Sequence, residues 1–297
     1  MEKKIAYSEI FGSIQGEGEW TGNLMIWVRF FGCNLKCQGF GQKDPTNPTE
    51  FPYETVDFKK YSRLEDLPVF PVGCDSYYSW NPRFKHLAKK ATVKEICDKI
   101  VECGVNTFGL DKNRIQGNIV GEAPFHWHPR TGNNVILGFT GGEPLLYQNE
   151  MLAIHKELKD RGIRFDYITV ETNGTKPLLY EFPEEFYFSV SPKLRSVSGE
   201  IDGVKPNVIN MLLGNANTPN AGWLKFVVTS NPRCWEEIDE CLDRINFRGD
   251  IWVMPMGATA EQQLGDEITK IAEEAMKRGF HIAARTQNYL FKNAIGK

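Results

Sequence analysis

At 297 residues and 41% hydrophobic, the chain is long enough for one large core, and a single domain carrying insertions is expected rather than a string of modules. Its formal charge of -3, with no block of Lys or Arg, excludes the footprint of a nucleic-acid or anionic-membrane binder and favours a small or uncharged partner. The start, "MEKKIAYSEIFGSIQGEGEW", lacks the apolar core of a signal peptide and no stretch approaches bilayer length, so a cytoplasmic location is expected. Seven cysteines, an odd number, point to reduced thiols, whose clustering signals metal binding or catalysis more than disulfides.

In chain order, the first strand is expected at "LMIWVRFF" (24 to 31), followed by "GCNLKC", where Cys33 and Cys37 are spaced C-x3-C. Segment 38 to 73, rich in Pro, Lys, Asp and Glu, reads as an insertion, after which Cys74 opens "CDSYYSW". A helical stripe over 92 to 103 precedes a second aperiodic insertion at about 104 to 134. Strand "VILGF" (135 to 139) ends in "TGGEP", and a helix is expected over 150 to 161. Strands "DYITVE" (166 to 171), "FYFSV" (186 to 190) and "WLKFVV" (223 to 228) follow, the first ending in "TNGT" and the second in "SPK". A helix over 233 to 245 leads to strand "DIWVMP" (250 to 255), ending in "MPMG". A helix over 260 to 278 starts at the capping-box spacing of Thr259 and Gln262, buries Leu264, Ile268, Ile271, Ala275 and Met276, and stops at Gly279 before strand "FHIAA" (280 to 284). No internal repeat or low-complexity tract is present.

Strands alternating with helices predict a parallel α/β sheet, in which ligands sit at the carboxyl ends of the strands. Five of the first six strand ends carry small, polar or metal-binding residues. The C-x3-C pair alone is compatible with half a zinc site, a redox dithiol, or part of a three-thiolate iron-sulfur site. In "TGGEP", glycines permit close backbone approach and Glu143 offers an acceptor to an ammonium, although a tight strand-to-helix turn explains the same residues. Arg29, in the middle of an apolar strand, needs an anionic partner, either a ligand or a structural carboxylate. His126 and His128 read as ordinary loop residues, and "GNIVGE" lacks the Lys-Ser/Thr end of a phosphate loop.

The pairing of C-x3-C with a GGE motif one strand later resembles the radical S-adenosylmethionine superfamily. In order along nearly the whole chain, "SEIFGSIQGEGEWTG", "RFFGCNLKC", "CDSYYSW", "TGGEPLL", "ETNGT", "SPK" and "LKFVV" resemble the 7-carboxy-7-deazaguanine synthase family, "SIQGEG" being the most family-specific. The resemblance implies a partial, open (β/α) barrel of the radical SAM type with two insertions. It departs at the third cluster cysteine, expected at Phe40. Cys97, Cys103, Cys234 and Cys241 read as helix thiols, whereas Cys74 begins a segment similar to the family's "CDT". Residues 38 to 73 then stretch the spacing, which costs little closure entropy if the ends stay close.

The implied reaction is a lyase-type ring contraction of 6-carboxy-5,6,7,8-tetrahydropterin to 7-carboxy-7-deazaguanine with loss of ammonia, in queuosine-type deazapurine biosynthesis. The implied cofactors are a [4Fe-4S] cluster on Cys33, Cys37 and Cys74, S-adenosyl-L-methionine, and Mg2+ at Ser76, where the family has Thr. Substrate contacts carried over are Ile14, Gln15, Gly16, Glu17, Arg29, Thr140 and, in the tail, Lys297. Cofactor contacts are Gly73 and Asp75 flanking Cys74, Gly142, Glu143, Glu171, Asn173, Ser191, Pro192, Lys193, and Met254, Pro255, Met256 and Gly257. No side chain is expected to carry the radical chemistry. The implied partners are a reductase or flavodoxin/ferredoxin electron donor and a second copy in a homodimer, with no direct nucleic-acid or membrane contact. Competing readings are an activase that installs a glycyl radical on a partner protein, and a non-catalytic zinc or iron-sulfur module, which needs a fourth ligand for which His86 is nearest.

Overall fold

A computed structural model describes residues 2–115, 124–213, 221–292 and 294–296. "GNIVGE" and Lys297 lie outside the described residues. The sheet contains β1 (Ile5–Ile14), β2 (Leu24–Phe30), β3 (Lys89–Ala91), β4 (Val135–Gly141), β5 (Ile168–Thr172), β6 (Phe186–Val190), β7 (Ala221–Val228), β8 (Ile251–Pro255) and β9 (His281–Ile282). Their spatial order is β3-β1-β2-β4-β5-β6-β7-β8-β9. From β2 onward every neighbouring pair is parallel, while β1 runs antiparallel to both β2 and β3. The sheet stays open at β3 and β9, which makes the architecture a partial α/β barrel.

Around it lie α1 (Pro52–Thr55), α2 (Val93–Phe108), α3 (Gln148–Asp160), α4 (Arg195–Ser198), α5 (Pro206–Leu213), α6 (Pro232–Leu242), α7 (Asp266–Arg278) and α8 (Thr286–Phe291). Among the described residues, no helix is long and apolar enough to cross a membrane.

Strand alternation assigns the two sheet faces different work. Val28, Phe30, Leu137, Phe139, Val170, Phe188, Leu224, Phe226 and Val253 join the helices in the main core. Phe139 stacks between Phe30 and Phe186, with ring centroids at 5.9 and 6.3 Å. Trp27, Arg29, Thr140, Glu171, Ser189, Lys225 and Met254 instead line a cavity on the opposite face.

β1 and β3 were not expected from the sequence. In β1, Ser8, Glu9 and Ser13 are buried, so polar residues occupy inward positions and the apolar alternation that marks a strand is hidden. α2 has the capping box of Thr92 and Glu95 and a left-handed stop at Gly109, and it runs past 103 into a stretch expected to be aperiodic. α7 begins at Asp266, because the Thr259–Gln262 box caps a separate turn over Glu261–Gln263. Leu264 therefore precedes the helix and is 66% exposed, and Met276 falls off the buried stripe at 70% exposed.

Removing the Phe139 ring leaves a void between two stacked neighbours. Phe139→Ala is expected to lower stability by about 3–5 kcal/mol, read as a fall in the urea midpoint of the metal-free protein without a change in slope.

Candidate active site

Residues 38–73 leave the sheet after Cys37 and return to it. Gly73 N donates to Phe40 O at 2.7 Å, and Gly41 N reaches Met256 Sδ at 3.0 Å. Between these ends the segment builds its own small core, with Tyr53, Leu64 and Leu67 packed on Tyr77, Tyr78, Phe84 and Leu87, and Ile295 from the tail against them. Cys74 is thereby returned to the cavity that Cys33 and Cys37 line.

The cavity holds about 1790 Å³ including its open mouth. Burial pushes the Cys33 thiol up to about 11 and the Cys74 thiol to about 12, and raises Cys37 well above the ordinary range. All three cysteines line the same cavity, and the neighbouring thiols add to the upward shift at Cys37. Asn173 Nδ2 lies 3.9 Å from Cys33 Sγ, and Leu35 N donates to the same sulfur at 3.4 Å. Gly142 abuts this loop so closely that a Cβ there would sit 2.1 Å from Gly32 O and 2.7 Å from Cys33 Cβ.

Glu143 does not line the cavity. It is fully buried and accepts from Leu145 N, Thr172 Oγ1 and Asn173 N, which binds the two strand ends together. Ser191 and Lys193 do line the cavity, Lys193 Nζ bonding Ser191 O and Oγ at 2.8 Å, while Pro192 does not. Gly73, Asp75, Met254, Pro255, Met256 and Gly257 line it as well.

The "SIQGEG" loop reaches the cavity from the other end of the strands. Because β1 is antiparallel, Ile14 pairs with Leu24 at the amino end of β2, and the loop folds inward from there. Trp20 plugs that end against Tyr167, Tyr187 and Trp223, at centroid distances of 5.1, 5.6 and 5.9 Å. Ile14, Gln15, Gly16 and Glu17 all line the cavity. Glu171, which the sequence resemblance groups with the cofactor, accepts from Gln15 Nε2 and Thr140 Oγ1 at 3.2 Å each and so stands among the residues that the resemblance gives to the substrate.

Arg29 has a protein partner. Its Nε donates to Glu9 Oε1 at 2.8 Å across the β1–β2 pair, and Tyr78 OH donates to the same oxygen at 3.0 Å. Nη1 reaches Ser76 Oγ at 3.4 Å, and Nη2 makes no hydrogen bond among the described residues, which leaves part of the fork facing the cavity. Ser76 also donates to Asp75 Oδ1 at 3.3 Å.

Lys225, Arg285, Glu9 and Gln287 were not singled out from the sequence. Glu17 accepts from Lys225 Nζ at 2.7 Å, Arg285 Nε at 2.9 Å and Gln287 Nε2 at 2.6 Å, and Arg285 continues to Asp75 at 2.5 Å. Burial opposes ionisation of Glu17 and Asp75, yet Lys225 and Arg285 hold Glu17 well below the usual carboxylate range, and Arg285 depresses Asp75. Lys225 was legible by the argument that marked Arg29, a lone cation inside an apolar strand. Of the remaining cysteines, Cys97, Cys234 and Cys241 are buried on helices and Cys103 is half-buried there. His86 faces Arg83 O and Tyr61 O and does not line the cavity. His126 is buried 3.1 Å from Asp166, in a loop that does not line it either.

Glu17 and Asp75 have folded-state pKa values below their unfolded ones. Their stabilisation is therefore complete above the unfolded carboxylate pKa of about 4 and is lost as pH falls below it. Glu17→Gln, which removes the carboxylate shared by two buried cations, is expected to cost about 3 kcal/mol at pH 7. Urea unfolding of the metal-free protein should show that deficit narrowing below pH 4, as wild type loses the same contribution.

No family model matches the chain. Curated relatives share one name, 7-carboxy-7-deazaguanine synthase. The protein from Pyrobaculum aerophilum is 27% identical over 297 residues, covering 99% of this chain and 98% of that one. The Rhodopirellula baltica protein is 24% identical over 306 residues (99% and 90%), and the Halobacterium salinarum protein 27% over 315 residues (98% and 91%). Among solved structures, QueE from Escherichia coli superposes with a TM-score of 0.54 at 18% identity, covering 95% of this chain and 94% of that one, a likeness of fold. With the motifs in the order of that resemblance and one cavity gathering them, the chain is similar over nearly its whole length to 7-carboxy-7-deazaguanine synthases.

Proposed function

We propose that this chain is a radical S-adenosylmethionine lyase that contracts 6-carboxy-5,6,7,8-tetrahydropterin to 7-carboxy-7-deazaguanine with loss of ammonia. The observation that carries this reading is the meeting, in one cavity, of Cys33, Cys37 and Cys74 with the "SIQGEG" loop and Arg29.

The donor set fits a four-iron cluster held by three cysteines. Among the described residues, no three His, Cys, Asp or Glu side chains close on a single ion. The thiols instead surround a cavity, an arrangement suited to a larger group. Their raised pKa values show that burial alone disfavours the thiolates, so a cationic iron centre is what would stabilise them there. When bound, the cluster and S-adenosylmethionine supply the one-electron chemistry and the hydrogen-abstracting radical.

The chain's own groups bind, orient and exclude water. In our reading, the free edge of Arg29 pairs the substrate carboxylate, its other edge being anchored on Glu9. Gln15, Thr140 and Glu171 form a polar wall for the pterin edge, and the Glu17–Lys225 pair closes that wall from below. Lys193, Asn173, Gly142 and the Met254–Gly257 segment, which line the same cavity as the thiols, are assigned to S-adenosylmethionine. Ser76 beside Asp75 offers two oxygens to a hard cation such as Mg2+. Trp20 and the residue 38–73 segment shield opposite ends of the cavity from solvent. We further assign the whole chain to a single radical SAM domain with insertions at about 38–73 and 104–134, acting as a homodimer and fed by a reductase or flavodoxin/ferredoxin.

Anaerobic reconstitution with iron and sulfide, then S-adenosylmethionine, dithionite and the carboxypterin, should yield 5′-deoxyadenosine and the deazaguanine acid; absence of both sinks the assignment. Cys74→Ala should abolish cofactor cleavage while Cys97→Ala retains it, and the reverse result would reassign the third ligand. Arg29→Lys keeps a cation but loses the fork, and the KM for the carboxypterin should rise about tenfold.

A further inference from the structure

Glu200 belongs to none of the motifs above and does not line the cavity. It lies just beyond α4, after the left-handed stop at Gly199. Its Oε1 accepts two successive backbone donors of the cysteine loop, Lys36 N at 2.8 Å and Cys37 N at 2.5 Å. Cys37 has φ of 49°, and the only other non-glycine residue with positive φ among those described is Lys292. L residues rarely adopt that conformation. A left-handed residue turns consecutive N–H groups to one side, forming a concave nest for an anion, and the Glu200 carboxylate fills it.

The contact is built rather than incidental. Gly39 N donates to Ser198 O at 2.9 Å, and a Cβ on Gly39 would meet Pro45 O at 2.5 Å and Gly199 N at 2.6 Å. Ser198 Oγ donates to Leu194 O at 2.7 Å and accepts from Glu200 N at 3.2 Å, which ties Glu200 back to α4. The same connection begins at Lys193, which lines the cavity.

We propose that Glu200 is a positioning residue for the iron-sulfur centre: its carboxylate locks Cys37 in the left-handed backbone that aims Sγ into the cavity, and its charge lowers the cluster's reduction potential. The proposal rests on Cys37 being a cluster ligand. Both hydrogen bonds end on one oxygen, so the amide of Glu200→Gln keeps the clamp and removes the charge, while Glu200→Ala removes both. A negative charge held against the loop disfavours adding an electron to the nearby cluster.

Amide hydrogen exchange of the peptide containing Lys36 and Cys37, measured on metal-free protein, reads the clamp without any cofactor. Glu200→Ala should exchange faster there by about tenfold or more, and Glu200→Gln close to wild type. In reconstituted protein, an EPR-monitored redox titration should place Glu200→Gln at a more positive midpoint with unchanged iron content. Glu200→Ala should in addition surrender iron to a chelator faster. Unchanged exchange in Glu200→Ala overturns the clamp, and an unchanged midpoint in Glu200→Gln overturns the charge effect. If wild type itself assembles no cluster, the cofactor assignment fails, and the exchange result still decides whether Glu200 holds the loop.

Discussion

Gly73 N to Phe40 O is the hydrogen bond on which the site's geometry depends, because it returns the chain to the place it left after Cys37. Once the two ends of a long segment are joined, its length hardly matters, since closure entropy grows only logarithmically with loop length. The segment also stabilises itself, its aromatic and aliphatic side chains packing on Tyr77, Tyr78 and Phe84 just after Cys74. A distant cysteine thus behaves as a neighbour of Cys33 and Cys37.

Around that closure the sheet divides its faces. The outer face is apolar and packs helices, which stabilises the fold through ordinary burial. The inner face carries charges that cannot be solvated as in water, and they are compensated in chains: Lys225 and Arg285 on Glu17, Arg285 on Asp75, Arg29 on Glu9. Arg29–Glu9 lies across the β1–β2 ladder, while the others join β7, the tail, the "SIQGEG" loop and the residue after Cys74, segments that no strand ladder connects. Their role is geometric, fixing polar groups at stated positions around the cavity.

The cysteine loop is held from two sides. On one, Gly142 lets β4 press against Gly32 and Cys33, and Glu143 ties that strand end to Thr172 and Asn173. On the other, the Ser198–Glu200 turn grips Lys36, Cys37 and Gly39. The motif glutamate of "GGE" is therefore consumed by the scaffold, and its glycine is what approaches the thiols.

The parallel strands β2 and β4 to β8 and their polar ends were legible in the sequence, because each is carried by local pattern, apolar runs and turn residues; Cys74 was singled out by resemblance alone, and the structure puts it in the cavity with Cys33 and Cys37. β1 was not legible, since its buried Ser8 and Glu9 break the alternation that marks a strand, and Glu9 is tolerated only because Arg29 and Tyr78 reach it from elsewhere. The structure also regrouped Glu171 with Gln15 and Thr140 and placed Glu143 inside the scaffold. What the sequence by itself determined is which residues have the chemistry for a cluster and a polar ligand. Only the tertiary structure decided which of them are spent on one another, because a hydrogen bond or ion pair between residues more than 150 positions apart, such as Glu200 with Cys37 or Glu17 with Lys225, leaves no local pattern to read.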